Sequence, residues 1–138
     1  MTMAAKDIEI GLKLSETVKT IDQNMIDCYG KLNGDSNTIH YDKEVAQQYG
    51  FPDTIAHGLM TFGFLSEVMT LAFGKGWVVG GRINLSFIAP VHPGDTITAR
   101  GAIKEKAAEG EGVRVTVEIW CENQTGNKVL AGDASALL

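Results

Sequence analysis

The sequence is short of cysteine, proline and clustered positive charge, and each shortage excludes something. Two cysteines, Cys28 and Cys121, are too few for a disulfide framework or a four-ligand zinc site. With only three prolines, no proline-rich linker divides the chain, nor does any repeat or low-complexity tract. One domain over residues 1–138 is the expectation at this length. Lysine and arginine total 12 against 17 acidic residues, a net charge of −5, and the densest basic pair, Lys104 and Lys106, is split by Glu105. A nucleic-acid surface needs a basic stripe, so that class of partner is set aside. The longest charge-free run, Thr54 to Ser66, is 13 residues, too short to cross a bilayer. Residues 1–7 lack the apolar core of a signal peptide, which points to a soluble, cytoplasmic protein with no membrane partner. Glycine, by contrast, is abundant: 16 of 138 residues, where ~7% is usual.

Ile8, Ile10, Leu12 and Leu14 alternate with polar residues or glycine and predict a half-buried strand. Asp22 fits an N-cap for a short helix carrying Met25, Ile26, Tyr29 and Leu32. A polar loop, Asn33 to Asn37, follows. A second short helix is predicted after Asp42, with Val45, Ala46 and Tyr49 facing inward, ending at Gly50 before Pro52. From Ile55 to about Phe73 apolar residues cover nearly the whole helical circumference, which predicts a helix wrapped by other structure. Its Ser66 and Thr70 can be satisfied by the backbone one turn back.

After Gly76 the period becomes two. Val79, Gly81, Ile83, Leu85 and Phe87 form one strand face, Ile97 to Ile103 a second, Val113 to Cys121 a third, and Lys128 to Leu137 a weaker last strand. Strand, short helices, one apolar helix and then consecutive strands without intervening helices fit one curved antiparallel sheet around one helix, an α+β fold, better than a sandwich or a doubly wound fold.

Two stretches can carry chemistry. In Gly34-Asp35-Ser36-Asn37-Thr38-Ile39-His40, a carboxylate and an imidazole lie five residues apart; in Ile55-Ala56-His57-Gly58, an imidazole and a glycine enter the apolar helix. Asp with His is a minimal acid–base pair for adding or removing water. A helix N-terminus offers unpaired N–H groups to an oxygen gaining negative charge, and glycine at position 58 lets a substrate approach them. Plainer roles fit the same spacing: Asp35 as a turn residue, His40 as a hydrogen-bonded structural histidine, His57 as a helix cap. The spacing matches no metal motif, G-x-S-x-G is absent, and Gly74, Gly76 and Gly80 have the wrong spacing for a dinucleotide loop, so no metal or cofactor is expected.

Residues 34–40, followed by Ala46, by Ile55-Ala56-His57-Gly58 and by Phe87-Ile88-Ala89-Pro90-Val91-His92-Pro93-Gly94-Asp95, resemble the MaoC-like, or hydratase-2, family of hotdog-fold (R)-specific enoyl-thioester hydratases and dehydratases. The resemblance implies a hotdog fold and an acyl-coenzyme A or acyl-carrier-protein thioester as substrate. It gives Asp35 and His40 the catalytic roles, Asn37 a bracing role in the loop, the Gly58 N–H the thioester carbonyl, and Ser66 and His57 places among the substrate-binding residues. Phe62, Leu65 and Met69 are the candidate acyl pocket, and a homodimer is expected. Thr38 stands where the hydratases usually carry proline. Thioester hydrolysis on the same fold and a non-catalytic acyl-binding homodimer are the alternatives.

Overall fold

The computed structural model describes residues 2–138. Its elements in chain order are β1 (Thr17–Thr20), α1 (Gln23–Asn33), α2 (Lys43–Gln48), α3 (Gly58–Phe73), α4 (Lys75–Gly80), β2 (Arg82–Phe87), β3 (Thr96–Glu109), β4 (Gly112–Glu122) and β5 (Lys128–Leu137). The five strands form one antiparallel sheet in the order β1-β3-β4-β5-β2. Helix α3 packs on β3, β4 and β5, so the expected sheet-on-helix, α+β arrangement is what the chain adopts. None of the described helices is long and apolar enough to cross a membrane.

Period-two patterning builds the core. Ile97, Ala99 and Ile103 of β3 and Val115, Val117, Ile119 and Cys121 of β4 are buried together with Leu65, Val68 and Met69 of α3. The predicted caps form: Asp22 Oδ1 accepts from Met25 N at 2.8 Å, and Asp42 Oδ1 from Glu44 N at 2.9 Å.

Four expectations are corrected. Ile8 to Leu14 is not a strand: it makes one bridge, Lys13 with Ala102, and turns at Gly11 (φ +90°), leaving Ile10 exposed; the edge strand is β1. Tyr49 and Leu32 point to solvent, because the only side chains the two short helices bury deeply are those of Ala46 and Ile26, beside the buried Gly30. Residues 79 and 80 belong to α4, which Trp77 anchors by burial, and the strand begins at Arg82. Helix α3 starts at Gly58 rather than Ile55, and it is not covered all round. A stripe of Leu59, Gly63 and Thr70 is exposed, alongside Val78, Val79 and both faces of most of β2.

Candidate active site

The loop carrying Asp35 is set by backbone chemistry. Gly34 ends α1 in the left-handed region (φ +75°), its N–H bonding Gly30 O at 2.9 Å. Asp35 Oδ1 then accepts from Asn37 N at 2.9 Å, and Asn37 Oδ1 from Ile39 N at 3.2 Å. These two successive side-chain turns lead into a 3-10 turn, Thr38–His40, that swings the His40 ring inward.

His40 is buried, and its Nδ1 lies 2.7 Å from Ile55 O. A carbonyl only accepts, so Nδ1 carries the hydrogen and the neutral ring presents a bare Nε2. His57, 3% exposed, stands at the entry to α3 but makes no side-chain cap bond. Instead its ring stacks on His40, with centroids 3.8 Å apart and planes 23° off parallel. Asp35 Oδ2 lies 3.7 Å from the Nε2 of each ring. That is too far for a direct hydrogen bond, so Asp35 Oδ2 and His40 Nε2 remain open to a third group placed between them. Burial pushes the His57 pKa down, and the neighbouring His40 pushes it further, against an opposing pull from Asp35.

Asp35, His40 and His57 are also the single His/Cys/Asp/Glu group among the described residues whose ligand atoms lie within 4.8 Å of one another. Residues 40 and 57 are 17 apart in sequence, so no local motif announces this. The near-parallel stacking sets the two ring edges side by side instead of aiming them at one centre, a poor match to a tetrahedral ion. The arrangement suits proton handling better.

Asp35 borders a cleft of about 510 Å³ with Asp27, Lys31, Ser36 and Tyr41. Gly58 opens α3, where a first-turn N–H has no intrahelical acceptor. A Cβ at this position would come within 2.8 Å of Phe87 Cε1. Gly58 lies on a second, mostly apolar groove of about 330 Å³ with Phe51, Ile55, Phe87 and Ile88. Ser66 lies apart from both, its Oγ accepting from Trp77 Nε1 at 3.0 Å, in a cavity it shares with Phe62, Thr70 and Ile83. Thr70 does bond the backbone one turn back, at Ser66 O, 2.7 Å. Leu65 and Met69 are fully buried in the core, and of the three expected acyl-pocket residues only Phe62 borders a cavity.

Two residues at the site were not anticipated. Tyr41 Oη donates to Asp35 O at 2.5 Å and lies 3.3 Å from His57 Nε2. Gln23 Nε2 donates to His40 O at 2.8 Å, while its Oε1 accepts from Thr54 Oγ1 at 2.6 Å, tying α1 to both chain segments of the site. The available signal was Gly30, a glycine inside a capped helix, which marks a close approach.

The chain is similar to several known proteins. An (R)-specific enoyl-CoA hydratase of Rhodospirillum rubrum is 33% identical, over 96% of this chain and 90% of its own. A 3-hydroxybutyryl-CoA dehydratase of Methylorubrum extorquens is 32% identical, over 96% of this chain and 81% of its own. The unliganded R-hydratase PhaJ1 of Pseudomonas aeruginosa superposes with a TM-score of 0.81 at 26% identity, covering 95% of this chain and 82% of that one. The model of the MaoC like domain matches residues 6–125, and the chain belongs to that family of hotdog-fold dehydratases.

Proposed function

We propose that this chain is an (R)-specific hydro-lyase that adds water across, or removes it from, an α,β-unsaturated acyl thioester, with Asp35 and His40 as the catalytic pair. One observation carries the assignment. Asp35 Oδ2 and the bare Nε2 of His40 are both hydrogen-bond acceptors, 3.7 Å apart, fixed by a loop and a buried carbonyl. A water between two such acceptors directs its hydrogens at them and its lone pair outward, at the β-carbon of the substrate. Asp35 takes one proton from the water as the new C–O bond forms, the other stays on the new hydroxyl, and the abstracted proton passes to the bare Nε2 of His40 and from there to the α-carbon. Water is added whole, and the pair ends in the protonation state in which it began.

Charge moves onto the thioester carbonyl oxygen as water adds. A helix-end N–H is suited to receive it, a contribution of roughly 3 kcal/mol for one well-placed donor, and Gly58 is the residue assigned that role. Asn37 braces the loop, and His57 lies in the same cluster. Ser66 and Phe62 are given substrate contacts in the cavity they share beside α3. The hydratase and dehydratase names of the relatives support the reading.

The reading takes residues 1–138 as one domain and the working form as a homodimer. The support for pairing is the free edge of β2, with Ile83, Phe87 and Ile88 exposed next to Val78 and Val79. The unpaired thiols, Cys28 exposed and Cys121 buried, suit the reducing cytoplasm. Hydration of a short enoyl-CoA, followed as loss of the conjugated thioester absorbance, tests the function. Dehydration of (R)- but not (S)-3-hydroxybutyryl-CoA tests its hand. Release of free thiol in place of hydration would instead mark a thioesterase.

A further inference from the structure

Tyr41 is held in a notch cut for it. A Cβ at Gly30 would fall on the Tyr41 hydroxyl, and the ring carbon Cζ would lie 2.8 Å from it. The hydroxyl so placed meets two groups of the site, Asp35 O at 2.5 Å and His57 Nε2 at 3.3 Å. A phenol has one hydrogen to give, and a carbonyl oxygen accepts only, so that hydrogen belongs to Asp35 O. The contact with His57 then requires the imidazole to donate. Its Nε2 carries a hydrogen, and the bare nitrogen of the neutral ring is Nδ1, which is buried with no partner.

The stacked histidines are therefore in opposite tautomers. His40 carries its hydrogen on Nδ1 and offers a lone pair at Nε2; His57 offers a hydrogen at Nε2. We infer that Tyr41 is a positioning residue of the active site: its hydroxyl, admitted by Gly30, pins the backbone of Asp35 and holds His57 as the Nε2–H donor beside the Asp35–His40 pair. The inference deepens the hydro-lyase reading and rests on it for its catalytic consequence, but not for the tautomer. Burial, followed by the charges of Asp35 and Asp27, raises the Tyr41 pKa, which keeps the hydroxyl protonated and able to donate.

The test uses the full chain labelled with ¹⁵N and ¹³C at histidine. Long-range imidazole correlation spectra should show His57 as the Nε2–H tautomer and His40 as the Nδ1–H tautomer in the wild type. Tyr41→Phe keeps the ring and should shift His57 toward the Nδ1–H form or a mixture, lower kcat for enoyl-CoA hydration about tenfold, the worth of one hydrogen bond, and leave KM within about twofold. Gly30→Ala keeps the tyrosine but displaces its hydroxyl, and should reproduce both changes; it carries the test if Tyr41→Phe unfolds. An unchanged His57 tautomer and an unchanged kcat in the folded variant would overturn the inference, as would a wild-type His57 in the Nδ1–H form. Absence of hydratase activity in the wild type would instead sink the hydro-lyase reading, with the tautomer still decided by the spectra.

Discussion

His40 and His57 stack face to face, 3.8 Å between ring centroids, and each sets its Nε2 3.7 Å from the same oxygen of Asp35. The two rings nevertheless differ in what holds them. His40 is anchored through Nδ1 to Ile55 O, whereas His57 has no partner at Nδ1 and meets Tyr41 at Nε2. One carboxylate thus faces one anchored base and one buried neutral imidazole, and the consequences of removing each differ.

Asp35→Asn should abolish hydration, a fall of about 10²–10⁴-fold in kcat, since the amide cannot take the proton from water. Its carbonyl oxygen can still accept from Asn37 N, and the side chain is partly exposed, so the melting temperature should stay close to wild type. His40→Ala should cost a similar factor in rate. It should also destabilise the fold by about 1–3 kcal/mol, because Ile55 O then loses its partner in a buried setting. Stopped assays on enoyl-CoA together with thermal melts separate the two. Near-wild-type turnover in either variant would refute the acid–base assignment.

Lowering the pH should destabilise the folded chain through His57. Its folded-state pKa is depressed, chiefly by burial and then by His40, so below the unfolded value of about 6.5 the unfolded chain binds a proton that the folded one refuses. Stability is fully present above that pH and falls as pH drops below it, until the folded pKa is passed. Urea unfolding between neutral and mildly acidic pH should show the decline. His57→Gln, which does not titrate there, should flatten it. A slope identical in both proteins would mean that another group carries the dependence.

Most of this architecture can be read from hydrophobic period, because β3 and β4 each bury a single face and α3 buries most of its residues, whereas β5 buries neighbours on both faces and reads as the weakest strand. The errors fall where an element is short or has an uncovered side. Ile8 to Leu14 alternates like a strand, yet Gly11 turns it, and a single bridge to β3 remains. Leu59 and Val79 read as part of an apolar helix surface and of a strand face, yet both are exposed, because residue type alone does not say which side of an element other structure covers. At the site, Asp35, His40, His57 and Gly58 were legible as residue types in two stretches. The link between those stretches was not, since Tyr41 and Gln23 act through a backbone oxygen and a buried ring that only the tertiary fold brings within reach.

Gly58→Ala should impair catalysis by crowding, not by unfolding. The new methyl would meet Phe87 at 2.8 Å from Cε1 and 3.1 Å from Cδ1, but Phe87 is 57% exposed and free to give way. The expected result is a loss of about tenfold or more in kcat/KM, as an oxygen approaching the Gly58 N–H is held off. Phe87→Leu in the same chain should recover part of it by relieving the ring contact. If Gly58→Ala alone is fully active, the thioester carbonyl is bound elsewhere.

The free edge of β2 supplies the last prediction. Strand β5 covers one side of β2, and the other side carries unpaired backbone groups with Ile83 partly exposed, while Val79 of α4, 75% exposed, lies just before it in the chain. Leaving such an edge bare in solution invites uncontrolled pairing, so a second copy of the chain is the expected cover. Light scattering coupled to gel filtration should give twice the chain mass of 14.8 kDa. Val79→Asp and Ile83→Asp, which place a charge where burial would be costly, should shift the protein toward monomer with its secondary structure intact. A wild-type chain that runs as a monomer at micromolar concentration would overturn the pairing, and a dimer indifferent to both substitutions would move the interface to another face.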